Sequence, residues 1–184
     1  MTTFTKHTTS TAPKGSSEIL EKVEERYGFI PNLAAYLAES PAALGSLMSL
    51  AQAFDASSFT EHEQQIIQLT VSLMNGCTYC KTAHTALSRK ADLDDETLQA
   101  TIAFAPLPDA KQTTLRDFTR VVVENKGHVS EEELLKFLEA GYTQAQVFEV
   151  ILGISMKTLT NYSNHFTGAK PNPEFIAMAE PATA

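Results

Sequence analysis

The stretch NGCTYCKTAH, residues 75–84, holds the only two cysteines of this 184-residue chain together with a histidine. Cys77 and Cys80 are three positions apart, and His84 follows four positions later. Residues i, i+3 and i+7 lie on one face of an α-helix, so the three side chains form a single column if the stretch is helical. Such a column would hold two thiols and a base.

The start of a helix at this motif would make one of the thiols reactive. The pair Asn75-Gly76 is a turn signal and predicts that a new helix begins near Cys77. Backbone N–H groups and the dipole at a helix N-terminus stabilise a thiolate, which could attack a peroxide, become a sulfenic acid and close a disulfide with the second thiol. Which sulfur attacks is left open, because nearness to His84 favours Cys80 and the helix dipole favours Cys77.

Other interpretations of the motif compete with a redox pair. A structural zinc site normally has four protein ligands, but the chain has no second CxxC, and His62, His128 and His165 are scattered donors. The cysteines could be inert core residues of a non-catalytic helical oligomer. They could also exchange disulfides with other proteins, which needs the same residues. We expect no bound metal and no resident cofactor.

The elements that must position the motif are predicted to be helices throughout. Helix-start signals recur as Ser40 before Pro41 and as capping boxes at Thr60/Glu63, Ser130/Glu133 and Thr143/Gln146. No segment shows convincing period-two alternation. We expect an all-α bundle of seven to nine helices, forming one domain over 17–168. A flexible segment is expected at 1–16, and an irregular tail with room for one short helix at 169–184.

The helix before the motif is apolar on most of its circumference but carries one polar stripe, formed by Glu61, Gln65, Gln68, Ser72 and Asn75. Two interpretations stay open: the stripe is the solvent-facing edge of the helix, or it lines a site that ends at the cysteines. The segment that begins at Phe59 also resembles the one that begins at Tyr142, which is consistent with a duplicated helical unit.

Composition limits the classes of partner. The formal net charge is −8, from 14 basic and 22 acidic residues, and no Lys/Arg run could follow a phosphate backbone, so nucleic acid is not expected. The Thr- and Ser-rich N-terminus lacks an apolar signal region, and no stretch approaches about 18 apolar residues. We therefore expect a cytoplasmic protein without a membrane span, whose CxxC is redox-active or metal-binding rather than a structural disulfide.

The segment FTEHEQQIIQLTVSLMNGCTYCKTAH resembles the core of the carboxymuconolactone decarboxylase superfamily, in its alkylhydroperoxidase D-like, peroxidase-related branch. The resemblance extends from about Glu18 to Phe166. It implies an all-α fold, a homo-oligomer of three or six chains and a thiol-dependent peroxidase that serves antioxidant defence. It also implies that Cys80 attacks the hydroperoxide, that Cys77 resolves the product, and that His84 relays protons. The reductant that it implies is a dihydrolipoyl group on a partner protein.

The sequence departs from the family pattern at one position. The family's relay glutamate stands twelve residues before the first cysteine, where this chain has Gln65. An amide can orient a histidine by hydrogen bonding but cannot accept a proton as a carboxylate does. The other candidates for proton relay or orientation are Glu61, one turn before Gln65, and Glu63, whose position is already explained by the capping box.

Overall fold

The computed structural model describes residues 3–181. The all-α prediction is confirmed, since this range contains no strand and forms ten helices: α1 Ser17–Tyr27, α2 Asn32–Leu37, α3 Pro41–Asp55, α4 Glu61–Met74, α5 Thr78–Lys90, α6 Asp95–Ala103, α7 Ala110–Glu124, α8 Glu131–Glu139, α9 Gln144–Thr167 and α10 Pro173–Ala179. Nine of them, α1 to α9, lie within 17–168, which agrees with the predicted seven to nine, and α10 is the one short helix expected in the tail. Helices α2 and α10, of six and seven residues, are too short to show a clear 3.6-residue period.

The helix starts follow the predicted capping signals. The Ser40 side chain accepts a hydrogen bond from the Ala43 N–H, with Pro41 in the first turn of α3. Reciprocal capping boxes begin α4, α8 and α9 at the three predicted pairs. In each box the cap side chain and the side chain three residues later each accept a hydrogen bond from a backbone N–H that has no partner within the helix. These interactions lie within one helical turn, so they set the helix boundaries locally.

Helix α4 is the central element of the bundle and packs against α5, α6, α7 and α9. Every residue from Glu63 to Ser72 is buried, polar side chains included. Helix α9, with 24 residues, crosses both α3 and α4. Among residues 3–181, no helix is both long and apolar enough to cross a membrane.

The two terminal segments are attached to the bundle. Residues 3–16 contain no helix, and His7 connects them to α2 through its N–H, which donates to Ala35 O, and its ring, which contacts Glu39. The predicted irregular tail contains α10, which packs on α5 and buries Phe175. Residues 1–2 of the expected flexible segment and residues 182–184 of the expected tail lie outside the described residues.

Candidate active site

The cysteines lie at the junction of α4 and α5, as the turn signal predicts. Gly76 has a φ of +64°, a backbone conformation that suits glycine, and Cys77 is the N-cap of α5. The Cys77 sulfur accepts a hydrogen bond from the Cys80 backbone N–H at 3.3 Å. Both thiols are free and only 2% exposed. The predicted helix start near Cys77 is confirmed.

The two thiols have opposite pKa shifts. A hydrogen bond from the Cys77 thiol lowers the pKa of Cys80 to about 6, although burial alone would raise it. The charge of Lys157 and hydrogen bonds from the side chains of Asn161 and Thr160 also lower this pKa. The same hydrogen bond and burial raise the pKa of Cys77. Near neutral pH the reduced pair is therefore a Cys80 thiolate that accepts a hydrogen bond from the Cys77 thiol.

A cavity of about 560 Å³ lies in front of Cys80. Its wall includes Cys80 but not Cys77, so the two sulfurs differ in access as well as in pKa. The polar part of the wall includes six buried side chains, Gln64, Gln65, Gln68, His84, Lys157 and Thr160, and the apolar part includes Leu33, Leu47, Met48, Leu87, Met156 and Phe175. A ligand in this cavity would contact the Cys80 thiolate and mostly apolar surface.

Both ring nitrogens of the buried His84 have partners. Nδ1 lies 3.1 Å from Gln65 Oε1, and Nε2 lies 2.6 Å from Lys157 Nζ. An ammonium can only donate and an amide oxygen can only accept, so the ring carries its proton on Nδ1 and accepts from Lys157 at Nε2. Burial and the charge of Lys157 lower the pKa of His84, which favours this neutral form.

Lys157 is the site residue that the sequence reasoning missed. It lies in α9, is 4% exposed and borders the same cavity as Cys80. Burial lowers its pKa, whereas the negative charge of Cys80 and Cys77 thiolates raises it. Lys157 is the only lysine or arginine of α9 and directly follows the largely apolar run 150–156. That isolation is the signal that could have identified it, because a lysine is rarely buried without a partner.

The polar stripe lines the site over part of its length. Gln65 and Gln68 are buried in the cavity wall, and the exposed Glu61 also borders the cavity. At the far end, Asn75 Nδ2 donates to Asn161 Oδ1 at 2.9 Å. The interpretation of the stripe as a solvent-facing edge is wrong for its buried members.

Glu63 is engaged away from the cavity. Its Oε2 accepts from the Thr60 N–H and hydroxyl, and its Oε1 accepts from the Tyr142 hydroxyl at 2.9 Å. Of the three candidates for relay or orientation, only Gln65 contacts His84.

Tyr79, between the two cysteines, and His62 make other contacts. Tyr79 borders the cavity, and its hydroxyl donates to Asn172 Oδ1 at 3.4 Å. The His62 ring bonds to Ala91 O. Over residues 3–181, no three His, Cys, Asp or Glu side chains cluster in a way that could hold a metal ion.

Part of the chain matches a known protein family. Residues 30–118 match the sequence model of the carboxymuconolactone decarboxylase family. None of the curated proteins matches the chain significantly.

Several solved structures share the fold. One is the alkylhydroperoxidase AhpD core of an uncharacterised peroxidase-related protein from Ralstonia eutropha JMP134, with a TM-score of 0.85 and 23% identity over 96% of this chain and 95% of that one. A peroxidase-related protein from Silicibacter sp. TM1040 has a TM-score of 0.81 and 23% identity over 97% and 96%. A cysteine-to-alanine variant of the debrominase Bmp8, in complex with 2,3,4-tribromopyrrole, has a TM-score of 0.81 and 17% identity over 97% and 96%. The chain thus has a region, residues 30–118, that matches the carboxymuconolactone decarboxylase family, within an all-α fold that it shares with these peroxidase-related proteins and the debrominase.

Proposed function

We propose that this protein is a thiol peroxidase that reduces organic hydroperoxides, with Cys80 as the attacking sulfur and Cys77 as the resolving thiol. The observation that carries the proposal is the asymmetry of the pair. Cys80 combines a pKa of about 6 with a place on the cavity wall, whereas Cys77 has a raised pKa and lies off that wall. The thiolate is the nucleophilic form of cysteine, so Cys80 is equipped to attack.

The proposed cycle has two chemical steps. In the first, the Cys80 thiolate attacks the terminal oxygen of the hydroperoxide, the O–O bond breaks, and Cys80 becomes a sulfenic acid while the alkoxide leaves and takes up a proton. In the second, Cys77 attacks the Cys80 sulfur, its proton leaves with the hydroxyl group as water, and a disulfide forms. Because Cys77 and Cys80 lie within one helical turn, the second step needs little backbone movement.

Return to the dithiol requires two electrons and two protons from a dithiol donor. A dihydrolipoyl group on a partner protein is one donor of this class, and a reducing compartment such as the cytoplasm would maintain it. The apolar lining of the cavity, which includes Leu47, Met48 and Phe175, favours an organic hydroperoxide over hydrogen peroxide.

The deciding experiment is stopped-flow consumption of cumene hydroperoxide by the fully reduced protein, with thiols counted before and after. We expect rapid loss of both thiols in the wild type, no reaction in Cys80→Ser, and a sulfenic acid that a dimedone probe captures in Cys77→Ser. A rate no higher than that of free cysteine would overturn the proposal. It would leave protein disulfide exchange or a structural thiol pair as the function of the motif.

Reductive debromination is a second candidate reaction for the same thiols. It is favoured by the shared fold of the debrominase Bmp8, whose variant binds a tribrominated pyrrole, together with the apolar cavity beside a thiolate. The reaction would consume an aryl bromide and two thiols and yield the debrominated ring, HBr and the disulfide. Bromide release from 2,3,4-tribromopyrrole, measured on the same reduced protein, tests it directly. Release faster than peroxide turnover would favour this candidate.

A further inference from the structure

Breaking the O–O bond of an alkyl hydroperoxide creates an alkoxide, which is a poor leaving group unless it is protonated. Cys80 has no proton to give when it reacts as a thiolate. The proton of Cys77 leaves with water in the second step. The proposed cycle therefore needs a separate acid on the cavity wall.

The contacts of His84 make it unsuited to this task. Its Nδ1 proton is directed to Gln65 Oε1 at 3.1 Å, and its Nε2 lone pair accepts from Lys157 at 2.6 Å. Neither nitrogen presents a proton to the cavity. Gln65 is an amide and cannot protonate the ring as an acid would.

Lys157 has the protons that His84 lacks. Lys157 borders the cavity together with Cys80, and within residues 3–181 the one hydrogen bond of its Nζ is to His84 Nε2. An ammonium has three N–H groups, so two remain for a bound hydroperoxide. The bond to His84, which Gln65 holds in the required tautomer, fixes the direction of the ammonium.

We propose that Lys157 is the general acid of this site, which donates a proton to the oxygen that leaves as Cys80 attacks, and that His84 and Gln65 position it. This inference rests on the proposed peroxidase function and names the group that completes it. Lys157, His84 and Gln65 thus take the place of the carboxylate relay. Gln65 cannot form that relay itself, because an amide does not exchange a proton as a carboxylate does.

The protons balance over the cycle. Thiolate, ammonium, Cys77 thiol and hydroperoxide become disulfide, neutral amine, alcohol and water, without net charge on either side. A dithiol donor then returns two electrons and two protons: one proton restores the Cys77 thiol, the other restores the Lys157 ammonium, and Cys80 is released as a thiolate. Lys157 is thus charged in the reduced enzyme and neutral in the oxidised one.

The surroundings of Lys157 favour this alternation. Burial opposes the ammonium and the Cys80 thiolate stabilises it, so the loss of the thiolate in the disulfide removes the main stabilising charge. The titratable groups that face Lys157 from α5 are Cys77, Cys80 and His84. The other charged side chains on the cavity wall are exposed: Arg26, Asp55, Glu61 and Lys90.

The test separates acid catalysis from simple stabilisation of the thiolate. Rates of Lys157→Met are measured with cumene hydroperoxide and with peroxybenzoic acid across pH, and each is divided by the thiolate fraction obtained from ultraviolet absorbance. The peracid releases a carboxylate, which leaves without protonation, so only the rate with the alkyl hydroperoxide depends on a general acid. We expect the rate per thiolate to fall about 100-fold or more with cumene hydroperoxide and less than about 5-fold with the peracid.

Two further variants serve as matched comparisons. Lys157→Arg keeps the positive charge but does not give up a proton, so it should keep the low thiol pKa and still lose the alkyl hydroperoxide rate selectively. Lys81→Met removes an exposed charge next to Cys80 and should leave both rates unchanged. Circular dichroism confirms that each variant is folded.

The outcomes are distinct. Equal losses with both substrates, or full recovery of the Lys157→Met rate once its thiol is ionised at high pH, would overturn the general-acid role while leaving the peroxidase function in place. A wild-type protein inert to both peroxides would overturn the proposed function itself.

Discussion

At the scale of single residues, the site depends on one proton shared between two sulfurs. The Cys77 thiol donates a hydrogen bond to the Cys80 sulfur, so the proposed resolving cysteine stabilises the proposed attacking thiolate. The Cys77 sulfur in turn accepts a hydrogen bond from the Cys80 backbone N–H. Lys157 adds a charge that the helix dipole of α5 alone would not supply. The pair titrates as a unit, and its first ionisation produces the nucleophile.

The pH dependence of peroxide reduction follows from this arrangement. Thiolate is present above the Cys80 pKa and is lost as pH falls through about 6, so we expect the rate to rise through that pH and then level off. Cys77→Ala removes the main hydrogen bond that lowers the pKa and should move the midpoint of the profile to higher pH. Single-turnover rates between pH 4 and pH 10, in roughly half-unit steps, measure both profiles.

Cys77→Ser is the matched control for that shift. Its hydroxyl still donates to the Cys80 sulfur, so its midpoint should move less than that of Cys77→Ala. Identical profiles for the three proteins would show that Cys77 does not set the Cys80 pKa.

The amide at Gln65 supplies no negative charge that would stabilise an imidazolium at His84, whose pKa is lowered by burial and by Lys157. In Gln65→Glu a carboxylate would accept a hydrogen bond from Nδ1–H and stabilise the imidazolium, which should raise the pKa of His84 and break its bond from Lys157. We also expect this substitution to restore part of the cumene hydroperoxide rate to Lys157→Met, since an imidazolium can donate from Nε2. NMR titration of the His84 ring measures the first effect, and single-turnover kinetics measure the second.

Gln68→Glu provides the comparison for this prediction, because Gln68 lies in the same cavity wall without a bond to His84. It should leave the His84 titration nearly unchanged. An equal rise of the His84 pKa in both variants would mean that added charge alone, and not the contact at Gln65, controls the ring.

At the scale of helices, the position of Lys157 depends on how closely α9 approaches α3 and α4. Gly153, one turn before Lys157, allows that approach: a Cβ there would lie 2.7 Å from Phe54 and 3.0 Å from Ile67. Those two side chains are fully buried, so they have little space to move aside.

Gly153→Ala should therefore destabilise the fold by about 1–3 kcal/mol, in spite of the higher helix propensity of alanine. Gly45→Ala in α3 is the control, since a Cβ there meets Ile19 at an ordinary 3.7 Å. It should be neutral or stabilise the protein by up to about 1 kcal/mol. Urea denaturation of the two variants and the wild type provides the comparison, and a Gly153→Ala variant as stable as Gly45→Ala would contradict the tight-contact argument.

Helix α10 closes the other side of the cavity from a distant part of the chain. Phe175 packs edge-on against Phe29 and Tyr79, and Asn172 accepts from the Asn32 N–H at 2.8 Å. The C-terminal segment is thus a wall of the site and not a separate tail.

At the scale of the whole molecule, α9 exposes an apolar stripe on the face opposite Lys157. Its members are exposed by 43–78% and recur at helical spacing: Phe148, Ile151, Tyr162 and Phe166. A row of large apolar side chains on one helix face is typical of a surface that packs against another chain. It fits the expected homo-oligomer, which stays a prediction.

We expect Ile151→Asp combined with Phe166→Asp to dissociate that oligomer into single chains of 20.1 kDa, because buried unpaired carboxylates are costly at an interface. Sedimentation velocity of the wild type and the double variant measures the change. Leu135→Asp is the control, since Leu135 is also 48% exposed but lies on α8. A wild type that sediments as a single chain would contradict the prediction.

Much of the fold was predictable because its signals are local. Capping boxes at Thr60, Ser130 and Thr143 satisfy N–H groups within one helical turn, and the Asn75-Gly76 turn places Cys77 at a helix start, so each boundary can be predicted from a few adjacent residues. The short helices α2 and α10 were harder to predict, since their stability comes from packing against other elements.

The amino-acid sequence by itself determined the helical architecture, the i, i+3 spacing of the two thiols and the absence of a carboxylate at position 65. Only the tertiary structure decided which sulfur has the lower pKa, because that depends on Lys157, Thr160 and Asn161 of α9, about eighty residues further along the chain. It also decided which way the polar stripe of α4 faces. Charge and burial act through space, and distances in space between separate helices are set by packing that no local sequence pattern encodes.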